Sequence, residues 1–280
     1  AHMRALGFDV VRFFLMWEAF APHRDTIDGA ALARFEATMQ AIADAGLLAI
    51  PTLFCGHMSG VNWLPAWTLD ERVPHGRFRT IAGGTTSPYG IGDFYADDVL
   101  LRAQLRLARA VGRRAERHPA LLAWDLGNEF SNLRSPRSPR DAAHWSEALT
   151  EALLDESGAG CTAGIHGEDL QNDRAIRPSS LCAPMRFATM HGYPAYATFS
   201  RGAMDLSVVP FYCALVQSFS RKPLLFSEFG NPECPPGARE VGGKACLQED
   251  EMAQYARNVL DRLLRRGAIG ALWWCWSDYV

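Results

Sequence analysis

Two glutamates close short apolar runs. Leu121-Leu122-Ala123-Trp124-Asp125-Leu126-Gly127-Asn128-Glu129 ends in one, and Pro223-Leu224-Leu225-Phe226-Ser227-Glu228-Phe229-Gly230 carries the other. A carboxylate at the carboxyl end of a parallel strand sits where barrel enzymes place their chemistry. Two brought together there can cleave a glycosidic bond, one protonating the departing oxygen while the other attacks the sugar carbon. Further polar residues fall at or just beyond such runs: Arg12, His57, His166, His191 with Tyr193, and Trp276 with Asp278. Singly, each has a plain structural reading, a strand-end Glu as an ion-pair partner and a His as a satisfied core group. The signal is their recurrence.

The elements that must position them alternate between strand and helix. Val10 to Phe14, Leu47 to Phe54, Leu121 to Leu126, Thr162 to His166, Phe187 to His191, Leu224 to Ser227 and Ala271 to Trp276 read as strands. Asp28 caps a helix with the stripe Leu32, Phe35, Met39 and Ile42, closed by Gly46. A second helix shows Leu101, Leu105 and Ala108, and Ser138-Pro139 opens a third through Trp145, Leu149 and Leu153. Two more cover Pro210 to Ser220 and the stripe Met252, Tyr255, Val259 and Leu263. Repeated strand-helix units imply a parallel sheet with helices outside it. The expected fold is α/β, a (β/α)8 TIM barrel over residues 1–280 as one domain, with strands two to eight present. His2 to Leu6 reads as the tail of a helix, so a first strand is expected upstream, and the final helix is expected beyond Val280. An open doubly wound sheet is the alternative, and it suits active residues at nearly every strand end less well.

Composition bounds the function. The 280 residues carry a formal charge of −3 with acids and bases mixed along the chain, which gives no nucleic-acid groove. Apolar runs break well short of the ~18 residues of a membrane span. Seven cysteines without a CxxC spacing argue against a structural zinc site. Cys234 and Cys246 share a Gly/Pro-rich loop and either pair or remain loop thiols.

In order along the chain, Val11-Arg12-Phe13, Gly127-Asn128-Glu129, His191-Gly192-Tyr193, Ser227-Glu228-Phe229-Gly230 and Trp276 resemble the strand-end motifs of clan A retaining glycoside hydrolases, family 5 in particular. The resemblance implies a retaining β-glycosidase with no metal or organic cofactor and a carbohydrate substrate. It makes Glu129 the acid/base and Glu228 the nucleophile. Arg12 and Tyr193 attend the nucleophile, Asn128 meets the sugar 2-hydroxyl, and Trp276 floors a sugar subsite. His191 contacts substrate or braces from behind, and His57 lines the site or anchors its loop. Between Gly56 and Asp93 a long loop carries Trp63, Trp67, Phe78 and Tyr89, rings that either stack on sugars or pack the loop down. Trp63 and Trp67 are the better candidates for stacking, and Trp63 is taken into the binding set. Gly56-His57-Met58-Ser59-Gly60, Asn62-Trp63 and Pro65 look like mannan-active members, which points to a β-1,4-mannoside, with β-glucan and β-galactoside as alternatives. Two other classes compete. A metal-dependent amidohydrolase barrel would use Glu129, His166, His191 and Asp278 but leaves Asn128, Tyr193 and Glu228 idle. A non-catalytic sugar-binding barrel would leave both glutamates idle.

Overall fold

The computed structural model describes residues 2–276. Its contacts divide the chain into two compact units, one reaching Gly164 and taking in Arg174–Arg186, the other holding Ile165–Asp173 and the chain from Phe187 onward.

The first unit contains β1 (Val10–Met16), α1 (Gly29–Asp44), β2 (Leu48–Cys55), α2 (Asp98–Arg114), β3 (Trp124–Asn128), α3 (Pro139–Ser157) and β4 (Cys161–Gly164). The strands are parallel in the order β1-β2-β3-β4. Parallel strands with a helix between each pair need apolar residues on both faces, and β2 to β4 are buried along nearly their whole length. The second unit repeats the pattern with β5 (Ala188–His191), α4 (Val208–Ser220), β6 (Leu224–Phe229), α5 (Glu249–Arg265) and β7 (Gly270–Trp273), ordered β5-β6-β7 and again parallel. These seven strands follow the expected sequence of units.

Local chemistry sets the helix starts. Asp28 accepts from the Ala31 amide at 2.6 Å, and Ser138 Oγ accepts from Asp141 with Pro139 in the first turn. Trp145, Leu149 and Leu153 then bury fully against the sheet. Two stripes differ from expectation. In α2 the buried face runs Leu100, Gln104, Leu107, Ala108 and Val111, so Ala108 is buried as expected while Leu101 and Leu105 flank the face half-buried. In α1, Ile42 is only half-buried; with Val11, Phe13 and Ala41 it lines an open apolar groove of about 630 Å³ beside β1.

Some strands are shorter than expected. Leu121 makes only an isolated bridge to Ala49, and His166 leaves β4 to cap the short helix Gly167–Gln171. β7 ends at Trp273, three residues before Trp276. Asp278 lies outside the described residues.

The expected long loop is a set of small strands, mostly antiparallel, with Val61–Trp63 and Arg79–Ala82 paired in parallel. His57–Met58 pairs with Val61–Trp63, Arg79–Ala82 with Thr85–Ser87, and Leu69–Pro74 with Tyr89–Ile91. Ser59-Gly60 and Gly83-Gly84 turn two of these hairpins with φ of 51° and 76°, and of 57° and 76°.

Cys234 and Cys246 form a disulfide with their Cα atoms 5.1 Å apart, closing a loop that contains the Glu240–Val241/Lys244–Ala245 hairpin. Cys55, Cys161, Cys182 and Cys213 are buried thiols, and burial pushes Cys161 up to about 12. No helix among the described residues is long and apolar enough to cross a membrane.

Candidate active site

In the first unit the site is built outward from a buried ion pair. Arg12 on β1 lies beside Asp125 on β3, Nη2 to Oδ2 2.7 Å, with Nε donating to the same oxygen at 2.8 Å. Both side chains are 5% exposed or less. Thr52 on β2 also donates to Asp125 Oδ2, at 2.9 Å, so three strands are tied at one carboxylate. Such a pair needs extra hydrogen bonds to offset the loss of water. Arg12 Nη2 also supplies the next link by donating to Asn128 Oδ1 at 2.8 Å. Asn128 Nδ2 in turn donates to the His57 carbonyl at 2.8 Å. The Asn128 amide is thereby locked in one orientation.

Glu129 follows directly. Its backbone is left-handed, φ 46° and ψ 43°, a conformation that costs a non-glycine residue roughly 1–3 kcal/mol and persists only where neighbours enforce it. Here the Glu129 N–H donates to the Gly164 carbonyl at 2.9 Å, and Asn132 N–H donates to the Glu129 carbonyl at 2.8 Å. Phe130 then turns into the core, packing against Trp145 at 5.0 Å between ring centroids. The carboxylate takes a hydrogen bond from Asn132 Nδ2 at 3.1 Å, with His57 Nε2 3.7 Å from the same oxygen.

His57 is buried, and the hairpin positions its ring. Registered opposite Asn62, it meets Asn62 Oδ1 with Nδ1 at 2.7 Å. Asn62 Nδ2 is directed at the Asn132 carbonyl, 3.5 Å away, which leaves its oxygen to accept from His57 Nδ1. Phe78 packs on the imidazole with centroids 4.5 Å apart, so this ring, left open between stacking and packing by the sequence, lies beside the site residues. Trp67 packs: its indole donates to the Ala21 carbonyl and meets Trp17 edge-on at 5.5 Å. Trp63 stays 37% exposed and is the ring of the pair that can receive a sugar face.

The second unit builds around Glu228. It is buried at the end of β6, in register with His191 on β5. Tyr193 Oη donates to Glu228 Oε1 at 2.5 Å, and His191 Nδ1 lies 3.6 Å from Oε2. The phenol fixes the orientation of the carboxylate. Close packing fixes the turn that delivers Tyr193: a Cβ on Gly192 would lie 2.7 Å from the Tyr212 ring, and one on Gly230 2.8 Å from the Trp274 carbonyl. His191 is fully buried, which favours the bracing role over direct contact. Trp276 is half-exposed. His166 bridges to His191 in the backbone, while its own N–H donates to the Asp169 carboxylate as a helix cap.

Sequence reasoning overlooked Asp125, Asn62, Asn132 and Arg174. Asp125 had a visible signal, an acid in the middle of an apolar strand. Asn62 had one too, since Ser59-Gly60 sets a two-residue hairpin with His57 opposite it.

No protein-family model matches the chain, and no curated protein matches it. Solved structures do. The exo-β-1,4-mannosidase Op5Man5 from Opitutaceae bacterium strain TAV5 is 26% identical at a TM-score of 0.79, covering 98% of this chain and 46% of that one. A GH5_18 variant from Bifidobacterium longum in complex with Manβ1-4GlcNAc is 20% identical at 0.77, covering 100% and 63%. Endo-glycoceramidase II from Rhodococcus sp., seen as a lactosyl-enzyme intermediate, is 17% identical at 0.66, covering 98% and 66%. The chain thus spans about half to two thirds of the enzymes it matches. In its parallel strand-helix units and strand-end residues, the chain is similar to these family 5 barrels of the clan A glycoside hydrolases.

Proposed function

We propose that this protein hydrolyses β-linked glycosides with retention of configuration, Glu228 acting as nucleophile and Glu129 as acid/base. The observation that carries the assignment is the Tyr193 hydrogen bond at 2.5 Å to a buried Glu228, which holds the carboxylate in a fixed orientation for attack. In the first step Glu228 bonds to the anomeric carbon while Glu129 passes its proton to the departing oxygen. In the second, Glu129 takes a proton from water, and the resulting attack releases Glu228. A retaining mechanism asks for carboxyl groups roughly 5–5.5 Å apart. Asn128, with its oxygen held by Arg12, presents an N–H suited to the sugar 2-hydroxyl. Trp63 and Trp276 are suited to stack on pyranose faces. The reading gives Glu228 and Tyr193 the roles that an amidohydrolase leaves empty, and it needs no metal or organic cofactor.

For the substrate we favour a β-1,4-mannoside. Two things support this: the Gly56 to Pro65 stretch, which resembles mannan-active members, and the exo-β-1,4-mannosidase and Manβ1-4GlcNAc complex among the similar structures. Manno-, cello- and galacto-configured oligosaccharides, compared side by side, distinguish this from glucan and galactoside cleavage and separate endo from exo action.

Glu228→Ala tests the nucleophile. Turnover is expected to vanish and to return with azide, giving a glycosyl azide of inverted configuration. A folded variant that azide does not rescue would count against Glu228.

A further inference from the structure

We infer that Asn132, held by Arg174, is a positioning residue that fixes which oxygen of Glu129 carries the catalytic proton. The inference rests on Glu129 being the acid/base. Asn132 grips Glu129 twice, through its backbone N–H to the Glu129 carbonyl at 2.8 Å and through Nδ2 to Oε2 at 3.1 Å. The first bond holds the left-handed backbone, and the second holds the carboxyl. An amide can turn over, exchanging its donor for its acceptor, and Asn132 would then face Glu129 with an oxygen. Arg174 prevents this. Its Nη1 donates to Asn132 Oδ1 at 2.7 Å and to Ser131 Oγ at 3.3 Å, and a guanidinium has no acceptor to offer a turned amide. The cation therefore selects the amide orientation, and the amide selects the oxygen. Oε2 accepts from Asn132, so the proton bound for the glycosidic oxygen resides on Oε1.

The test uses two substrates that differ only in their need for a proton. A 2,4-dinitrophenyl leaving group departs unaided, whereas phenol needs an acid. Both glycosides are prepared with the sugar that the oligosaccharide comparison selects. Asn132→Leu and Arg174→Met are expected to lower kcat/KM for the phenyl glycoside by about tenfold or more while leaving the dinitrophenyl glycoside within about twofold. Glu129→Ala calibrates the pair and should show the same discrimination more strongly. If Glu129→Ala loses both substrates equally, the acid/base reading falls and this inference falls with it. If Glu129→Ala discriminates but the Asn132 and Arg174 variants do not, the positioning inference alone is overturned. Arg174→Met leaves the Asn132 backbone bond in place and so guards against simple unfolding. A crystal structure of that variant gives an answer without turnover. A turned Asn132 amide with a displaced Glu129 carboxyl is expected, and an unmoved carboxyl would refute the role of Arg174.

Discussion

At the scale of single residues, the two glutamates have unequal surroundings. Glu228 is buried with a phenol against it, while Glu129 sits in a strained turn with an amide gripping it. Hydrogen bonds to charged groups contribute about 1.5–3 kcal/mol, so Tyr193→Phe should lower kcat/KM by about ten- to a hundredfold in steady-state assays. An unchanged value would remove Tyr193 from the mechanism. The Arg12–Asp125 pair has a different function. Burying two charges and then deleting one leaves the other uncompensated, at a cost of about 3–5 kcal/mol. Asp125→Leu should show that loss in urea unfolding, and a variant as stable as the parent would show that the pair contributes little. Glu129, Glu228, Asn128 and Tyr193 were legible because strand ends and short motifs mark them. Arg174 was not, because its partner lies 42 residues away and no spacing in the chain records the contact.

At the scale of elements, helix caps were the most readable features, since Asp28 and Ser138 act through neighbours three residues on. The long loop was not read as strands because its segments are short and mixed in polarity. Its turns were nonetheless signalled: Ser59-Gly60 and Gly83-Gly84 both adopt the paired positive φ that tight hairpins require. The start of α4 carries a pH dependence. Asp205 accepts from the Ser207 and Arg201 amides at 2.9 and 3.1 Å and from the Arg201 side chain at 3.3 Å. Burial works against its charge, but the Arg201 guanidinium and the two amides outweigh it and bring the carboxyl down to about 2. A carboxyl lowered in the folded state contributes stability above its unfolded value of ~3.9, and that contribution is lost as pH falls toward 2. Asp205→Asn should therefore melt lower at neutral pH and lose less stability than the parent between about pH 4 and 2. Parallel melting curves through that range would contradict the assignment.

At the scale of the whole molecule, the order of strands and helices was legible from periodicity, and a solved structure matches it over 98% of the chain at a TM-score of 0.79. The disulfide was not, since an odd total of seven cysteines favours loop thiols over a pair. Cross-linking Cys234 to Cys246 restricts the unfolded chain, a constraint that typically stabilises by about 2–4 kcal/mol. Cys234→Ser should lower the melting temperature, and reduction of the parent should reproduce the effect; identical melts with and without reductant would deny the cross-link a stabilising role. The most direct test of the central claim, that Glu228 attacks the sugar with Glu129 as its acid/base partner, is mass spectrometry after reaction with a 2,4-dinitrophenyl 2-deoxy-2-fluoro-β-glycoside. The fluorine slows breakdown of the glycosyl-enzyme while the dinitrophenolate leaves without help. A single glycosyl adduct on the peptide containing Glu228, absent from Glu228→Ala and retained in Glu129→Ala, is the predicted result. An adduct on another residue, or turnover to the inverted sugar with no adduct, would contradict it.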